Sequence, residues 1–343
     1  MRSYELHIMC SSHDLGGSRV DIPAYRRAEA RLWAEAGASP TEQVVRLPRH
    51  EVDVRVMAVG DGPPVLFVHG GPSAGASWAS LAGRLSGFRR LVIDRPGTGL
   101  SAPYALTRSN VRDFLETFVV DVLDALELDK AHLVGCSTGS DLILMAGAHH
   151  PDRVDRSFHL GCPGLAPGVE LALTWRLMSL PGMWRVIAAM PASDKSIRSQ
   201  LRQIGHGASL DAGRISQAAT DWTISLARDT DTMKHELRAS RALVSVGGAP
   251  KHLVLSDAEL GSIASPTYFL WGERDPFGGP SIGRAMAGRM PDARLEVVPD
   301  GGHLPWIDDP VHASRTLARH LEALDAEALD ADAPDPEPSP VPG

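Results

Sequence analysis

The stretch Leu133-Val134-Gly135-Cys136-Ser137-Thr138-Gly139-Ser140-Asp141-Leu142-Ile143-Leu144 decides the fold. It joins a short apolar run to a helical one through a Gly-x-Ser-x-Gly turn. A strand that turns this sharply into a helix forces its central residue into strained backbone, and the flanking glycines keep side chains from colliding there. Ser137 is thereby held at the sheet edge with its hydroxyl presented, a candidate nucleophile. Cys136, beside it, is expected to point into packing.

On the N-terminal side, Gln43 to Leu47 and Val52 to Val59 read as strands, followed by the turn Gly60-Asp61-Gly62-Pro63-Pro64 and the polar-free run Val65-Leu66-Phe67-Val68. A strand covered on both faces has that composition. Leu91-Val92-Ile93 is a further strand, and Val111, Phe114, Leu115, Phe118, Val122 and Leu126 fall on one side of a helix from about Asn110 to Glu127. On the C-terminal side come a helix to His149 and a strand near Ser157 to Leu160. The alternation stops there, gives way to helical segments rich in Trp, Met and Arg, and resumes with strands Thr267 to Trp271 and Arg294 to Val298 and helices Ser281 to Met290 and Pro310 to Ala323. Alternating strands and helices predict an α/β fold, a mostly parallel central sheet with helices on both faces. The expected organisation is an N-terminal extension with a short helix (1–42), a core in two parts (43–162 and 261–324), a helical lid between them (163–260) and an acidic Pro-rich tail (325–343). The tail is too polar to offset its ordering entropy and is expected to be disordered.

A serine hydroxyl is a poor nucleophile at neutral pH and needs a base and a group to orient that base. Asp275 follows the seventh strand in Gly272-Glu273-Arg274-Asp275-Pro276, and His303 follows the eighth in Gly301-Gly302-His303-Leu304-Pro305-Trp306. Glu273 is the rival acid. Among 14 histidines, His149 and His150 stand at a helix end, where capping is the expected role.

With His69-Gly70-Gly71-Pro72 and Asp94-Arg95-Pro96-Gly97-Thr98-Gly99-Leu100-Ser101, these motifs resemble the Ser-nucleophile branch of the α/β-hydrolase-fold superfamily over roughly Val44 to Ala323. The chain order Ser, Asp, His is that of the superfamily. The resemblance implies the α/β-hydrolase fold with a helical lid inserted after strand 6. It also implies acyl-enzyme chemistry, with Ser137 attacking a carbonyl, His303 taking its proton and Asp275 holding the imidazole. The oxyanion donors it implies are the backbone N–H groups of Gly71 and Thr138, since Pro72 has none. Gly71-Pro72 is similar to prolyl aminopeptidases, which usually carry Trp where Thr138 stands. Epoxide hydrolases and haloalkane dehalogenases carry Asp in place of Ser137. Asp94 and Arg95 are expected to form a structural ion pair or cap.

Composition bounds the partners. The chain has 34 Lys+Arg against 42 Asp+Glu, a formal charge of -8, with no dense basic run, so nucleic acid is not an expected partner. No run is long and apolar enough for a membrane span and Met1 to Asp14 lacks the pattern of a signal peptide, so a cytoplasmic location is expected. No metal is implied, because HExxH, EF-hand and CxxC spacings are missing, and Gly97-x-Gly99 does not open a helix, so no cofactor is expected. Trp175, Met178, Met183, Trp184 and Trp222 give the lid an apolar, adaptable character suited to a hydrophobic small-molecule substrate, or to docking its helices on the core. The expected activity is hydrolysis of a carboxylic ester or similar carbonyl bond, by a monomer or homodimer. C–C bond hydrolysis, lactone hydrolysis or aminopeptidase action on the same triad is the alternative, as is a ligand receptor or lyase with little turnover.

Overall fold

The computed structural model describes residues 20–170, 176, 180, 182–183 and 190–331. Eight strands, β1 (Thr41–Leu47), β2 (Val52–Val59), β3 (Pro64–Val68), β4 (Arg89–Ile93), β5 (Ala131–Cys136), β6 (Val154–Leu160), β7 (Thr267–Gly272) and β8 (Ala293–Val298), form one sheet in the order β1-β2-β4-β3-β5-β6-β7-β8. The β1–β2 and β2–β4 pairs are antiparallel and the others parallel. This is the α/β architecture that the alternation of strands and helices predicts. Every residue of β5 is buried, as a central strand covered on both faces must be.

The helices before the insertion are α1 (Ile22–Glu35), α2 (Ala79–Ala82), α3 (Val111–Ala125) and α4 (Thr138–His149). One apolar layer joins α3 and α4 to the sheet through Phe118, Leu133, Ile143 and Phe269. The layer on the opposite face joins α1 and α2 to it through Trp33, Phe67, Trp78 and Phe158. Asp21 caps α1 by accepting from the Ala24 N–H at 2.9 Å, and Pro23 lies in its first turn, where a missing N–H costs nothing.

Between β6 and β7 the described elements are helices: α5 (Asp194–Gln203), α6 (Gly207–Asp211), α7 (Gln217–Asp229), α8 (Thr232–Leu243) and α9 (Asp257–Ser262). They are followed by α10 (Pro280–Ala287), α11 (Pro305–Asp308) and α12 (Pro310–Ala331). The insertion is tied to the N-terminal helix, since the Asp21 N–H donates to the Asp229 carbonyl at 2.9 Å and Trp222 and Leu226 of α7 share a buried cluster with Tyr25 and Ala28.

Helix α12 runs to Ala331, past the expected end at Ala323, so the first residues of the expected tail are helical. The segment Glu322 to Ala331 is dominated by Ala, Leu and Glu, which lose little freedom in a helix, and the first proline comes only at Pro334. Residues 332–343 lie outside the described residues. Among the described residues, no helix is long and apolar enough to cross a membrane.

Candidate active site

Parallel pairing aligns the C-terminal ends of β5, β6 and β7. Cys136 pairs with Leu160 and Leu160 with Leu270, so the segments that follow leave the sheet at one edge. Ser137 stands there in the backbone conformation expected of the turn, at φ 48° and ψ -125°. Left-handed backbone of this kind is costly for a residue with a Cβ and persists only where the surroundings impose it. The flanking glycines show what imposes it. A Cβ on Gly139 would lie 2.0 Å from the Val68 carbonyl oxygen, and one on Gly135 would lie 2.7 Å from Ile143 Cδ1. Neither position tolerates a side chain.

Asp275 and His303 meet at the same edge. Asp275 Oδ2 accepts from His303 Nδ1 at 2.8 Å and from the Cys162 N–H at 2.8 Å, while Oδ1 accepts from the Phe277 N–H at 3.0 Å. Three donors therefore hold a carboxylate whose side chain has no exposed surface. With Nδ1 donating to Asp275, the Nε2 of a neutral His303 is left unprotonated, as a general base requires. Phe277 packs against the imidazole, ring centroids 4.4 Å apart. Gly161, after β6, completes the arrangement: a Cβ there would lie 2.0 Å from the His303 carbonyl oxygen and 3.2 Å from Asp275 Oδ2. Glu273 is exposed and accepts from the Asp300 N–H at 3.0 Å, away from the histidine.

The loop after β3 lies against the turn at Ser137. A Cβ on Gly70 would lie 2.9 Å from Ser137 Cβ. Cys136 turns away from solvent and its Sγ accepts from the Gly70 N–H at 3.2 Å, while burial pushes its thiol up to about 12. Gly71, the next residue, and Thr138, the first residue of α4, are the expected oxyanion donors; Thr138 N–H is one of the four amides that a helix start leaves without an intrahelical partner. His69 is fully buried, with the Arg95 N–H donating to its Nε2 at 3.1 Å and its Nδ1 donating to the Gly70 carbonyl at 2.6 Å. Burial and the Arg95 charge hold this imidazole well below its usual pKa, neutral, as those two bonds require. This loop is therefore fixed from both sides.

A model of the Alpha/beta hydrolase family matches residues 65–314. The chain belongs to the alpha/beta hydrolase family. Among curated relatives, it is 26% identical over 250 residues to the 2-hydroxy-6-oxo-6-phenylhexa-2,4-dienoate hydrolase of Burkholderia cepacia, covering 71% of this chain and 82% of that protein. It is 28% identical over 285 residues to the proline iminopeptidase of Neisseria meningitidis serogroup A, covering 76% and 90%. Among solved structures, the carboxylesterase CesB of Bacillus subtilis shares the fold with a TM-score of 0.67 at 22% identity, covering 88% of this chain and 98% of that one.

Around this hydrolase-family edge the other expected residues divide. Asp94 and Arg95 do not pair with each other. Asp94 is buried against Arg55 at 3.1 Å and accepts from the Gly75 and Leu100 N–H groups, whereas Arg95 pairs with Glu236 of α8 at 3.0 Å. His149 meets Glu259 at 3.2 Å instead of capping carbonyls. Trp222 is buried in a cluster that joins α7 to α1. Met183 is half-buried, and Trp175, Met178 and Trp184 lie outside the described residues.

Three residues escape the sequence motifs altogether: Glu236, His206 and Asp308. A Cβ on Gly71 would lie 2.0 Å from Glu236 Oε2 and 3.2 Å from Arg95 Nη2, so a charged pair from the insertion and the loop after β4 stands directly at the expected oxyanion donor. Their spacing along the chain carries no periodic signal that could have marked them.

Proposed function

We propose that the protein is a serine hydrolase that cleaves an ester or similar carbonyl bond of an uncharged, hydrophobic small molecule through an acyl-enzyme. The observation that carries this reading is the buried Asp275–His303 hydrogen bond at the same sheet edge as Ser137 in its left-handed turn. Ser137 Oγ attacks the carbonyl carbon as its proton passes to His303 Nε2, and the carbonyl electron pair moves onto oxygen. The Gly71 and Thr138 N–H groups stabilise that oxyanion, each contributing roughly 3 kcal/mol in comparable sites. Collapse breaks the bond to the leaving group, which takes the proton from His303. A water, deprotonated by the same imidazole, then releases the acid and regenerates Ser137. Asp275 keeps the imidazole in the tautomer that both half-reactions need. The helices between β6 and β7 serve as the lid that covers this edge, and the Arg95–Glu236 pair, whose charges cancel, suits a substrate without charge next to the carbonyl.

Hydrolysis of a C–C bond beside a ketone is the second reading, favoured by the relatives that cleave oxo-dienoates. The two readings separate on turnover of a p-nitrophenyl ester series of increasing chain length against a vinylogous 1,5-diketone acid, each beside Ser137→Ala. Ester turnover that depends on Ser137 and exceeds diketone cleavage supports the esterase. The reverse preference supports the C–C hydrolase.

A further inference from the structure

The loop that carries His303 is held by the helical insertion as well as by the core. Its three successive backbone N–H groups each have a partner outside the loop. The Gly302 N–H donates to Asp308 Oδ2 at 2.8 Å, the His303 N–H to the Ile204 carbonyl at 2.9 Å and the Leu304 N–H to His206 Nε2 at 3.2 Å. Ile204 and His206 belong to the turn between α5 and α6. Two glycines make the approach possible: a Cβ on Gly302 would lie 2.7 Å from His206 Nδ1, and one on Gly205 would lie 2.8 Å from Gly302 Cα.

His206 has no exposed surface. Because its Nε2 accepts from Leu304, its proton is on Nδ1, which faces both oxygens of Asp308 at 2.9 Å. Asp308 Oδ1 also accepts from Ser209 Oγ at 2.5 Å. A second His–Asp pair thus stands behind the first, with its acceptor nitrogen directed at the backbone next to His303 and not at solvent. A buried imidazole with both nitrogens used in this way resists rotation, since turning the ring would leave the buried Leu304 N–H without its acceptor and take the imidazole donor from the Asp308 carboxylate.

We propose that His206 is a positioning residue for His303: through the Leu304 N–H and Asp308 it sets where the base's backbone stands, so that the insertion helps to assemble the triad as well as covering it. This rests on the serine hydrolase reading above. Misplacing a catalytic group by a fraction of an ångström to about 1 Å lowers the chemical step by up to about a hundredfold while leaving substrate binding largely intact. The effect belongs in kcat and in the rate of Ser137 acylation, not in KM.

Two near-isosteric variants separate the two bonds. His206→Gln can place an oxygen where Nε2 accepts from Leu304, and His206→Asn can place an N–H where Nδ1 donates to Asp308. The assay is the rate of fluorophosphonate labelling per folded molecule, together with kcat and KM on a p-nitrophenyl ester, with Asp308→Asn as a third variant. The expected result is that His206→Asn labels at least about tenfold more slowly than wild type with KM within twofold, that His206→Gln recovers most of that rate, and that Asp308→Asn is slowed similarly to His206→Asn. Should His206→Asn not fold, the contrast between His206→Gln and Asp308→Asn decides in the same way. Wild-type labelling rates in all folded variants, or losses confined to KM or to the folded fraction, overturn the positioning role. If wild type itself is not labelled at Ser137, it is the serine hydrolase reading that fails.

Discussion

Arg95 Nη2 lies 3.0 Å from both carboxylate oxygens of Glu236, joining the loop after β4 to α8 directly over Gly71. The pair is nearly buried, its side chains 8% and 13% exposed, so separating it would leave a charge with little access to water. It closes the insertion onto the loop after β3, where a Cβ on Gly71 would lie 2.0 Å from Glu236 Oε2.

Gly71→Ala is therefore expected to displace Glu236 and disturb the oxyanion donor, lowering kcat/KM at least about tenfold. Removing the obstructing carboxylate should relieve part of this. The double variant Gly71→Ala/Glu236→Ala is expected to show a coupling of about 1 kcal/mol or more against the two single variants, measured as kcat/KM per titrated active site. Additive losses would mean that the carboxylate does not constrain this loop.

Asp275→Asn keeps the shape of the acid but cannot hold His303 in the required tautomer, and kcat is expected to fall by about 10³ to 10⁴-fold. Glu273→Gln, at an exposed carboxylate bonded to Asp300, is expected to stay within about twofold of wild type. Steady-state kinetics on one ester substrate compares them; a larger loss from Glu273→Gln would move the acid to that position.

Cys136 is expected to resist alkylation. Its thiol is pushed up to about 12 by burial, so almost no thiolate exists near neutral pH, and its Sγ is occupied by the Gly70 N–H. Mass spectrometry after iodoacetamide treatment of the native protein at pH 8 should find the Cys136 peptide unmodified, while Cys136→Ala should weaken activity through Gly70 without abolishing it. Rapid native alkylation would contradict this geometry.

Asp141, in the first turn of α4, is fully desolvated and its carboxyl is pushed up to about 7, although it accepts from the Leu165 N–H at 2.8 Å. Between its ordinary value near 4 and that raised value, the folded chain holds a proton that the unfolded chain has released. Stability contributed by this site is therefore present below about pH 4 and is lost as pH rises to about 7, by an amount on the order of a few kcal/mol. Asp141→Asn should remove this dependence. Denaturant titrations from pH 4.5 to 8 on both proteins check it, and parallel curves would contradict it.

The elbow at Ser137 was legible because its steric demands are local: glycine at 135 and 139, an apolar strand before and a helix after are all written in one stretch. Asp275 and His303 were legible from their place after the last two strands. The parallel sheet followed from the alternation, since strands of polar-free composition must be covered on both faces. Arg95–Glu236 and His206–Leu304 were not legible, because the residues of each pair are 141 and 98 positions apart and meet only once the insertion is folded onto the core. Trp222 shows the opposite limit. An apolar side chain is equally suited to a pocket or to a helix interface, and no local spacing announces the cluster that Trp222 shares with Tyr25 and Leu226.

Whether Ser137 is a nucleophile activated by the Asp275–His303 pair is decided by the mass of the intact protein after a fluorophosphonate, with the adduct mapped by peptide sequencing. One adduct per chain is expected on Ser137, formed at least about a hundredfold more slowly in His303→Ala and not formed in Ser137→Ala. An unmodified wild-type protein, or an adduct at another residue with Ser137 untouched, would contradict it.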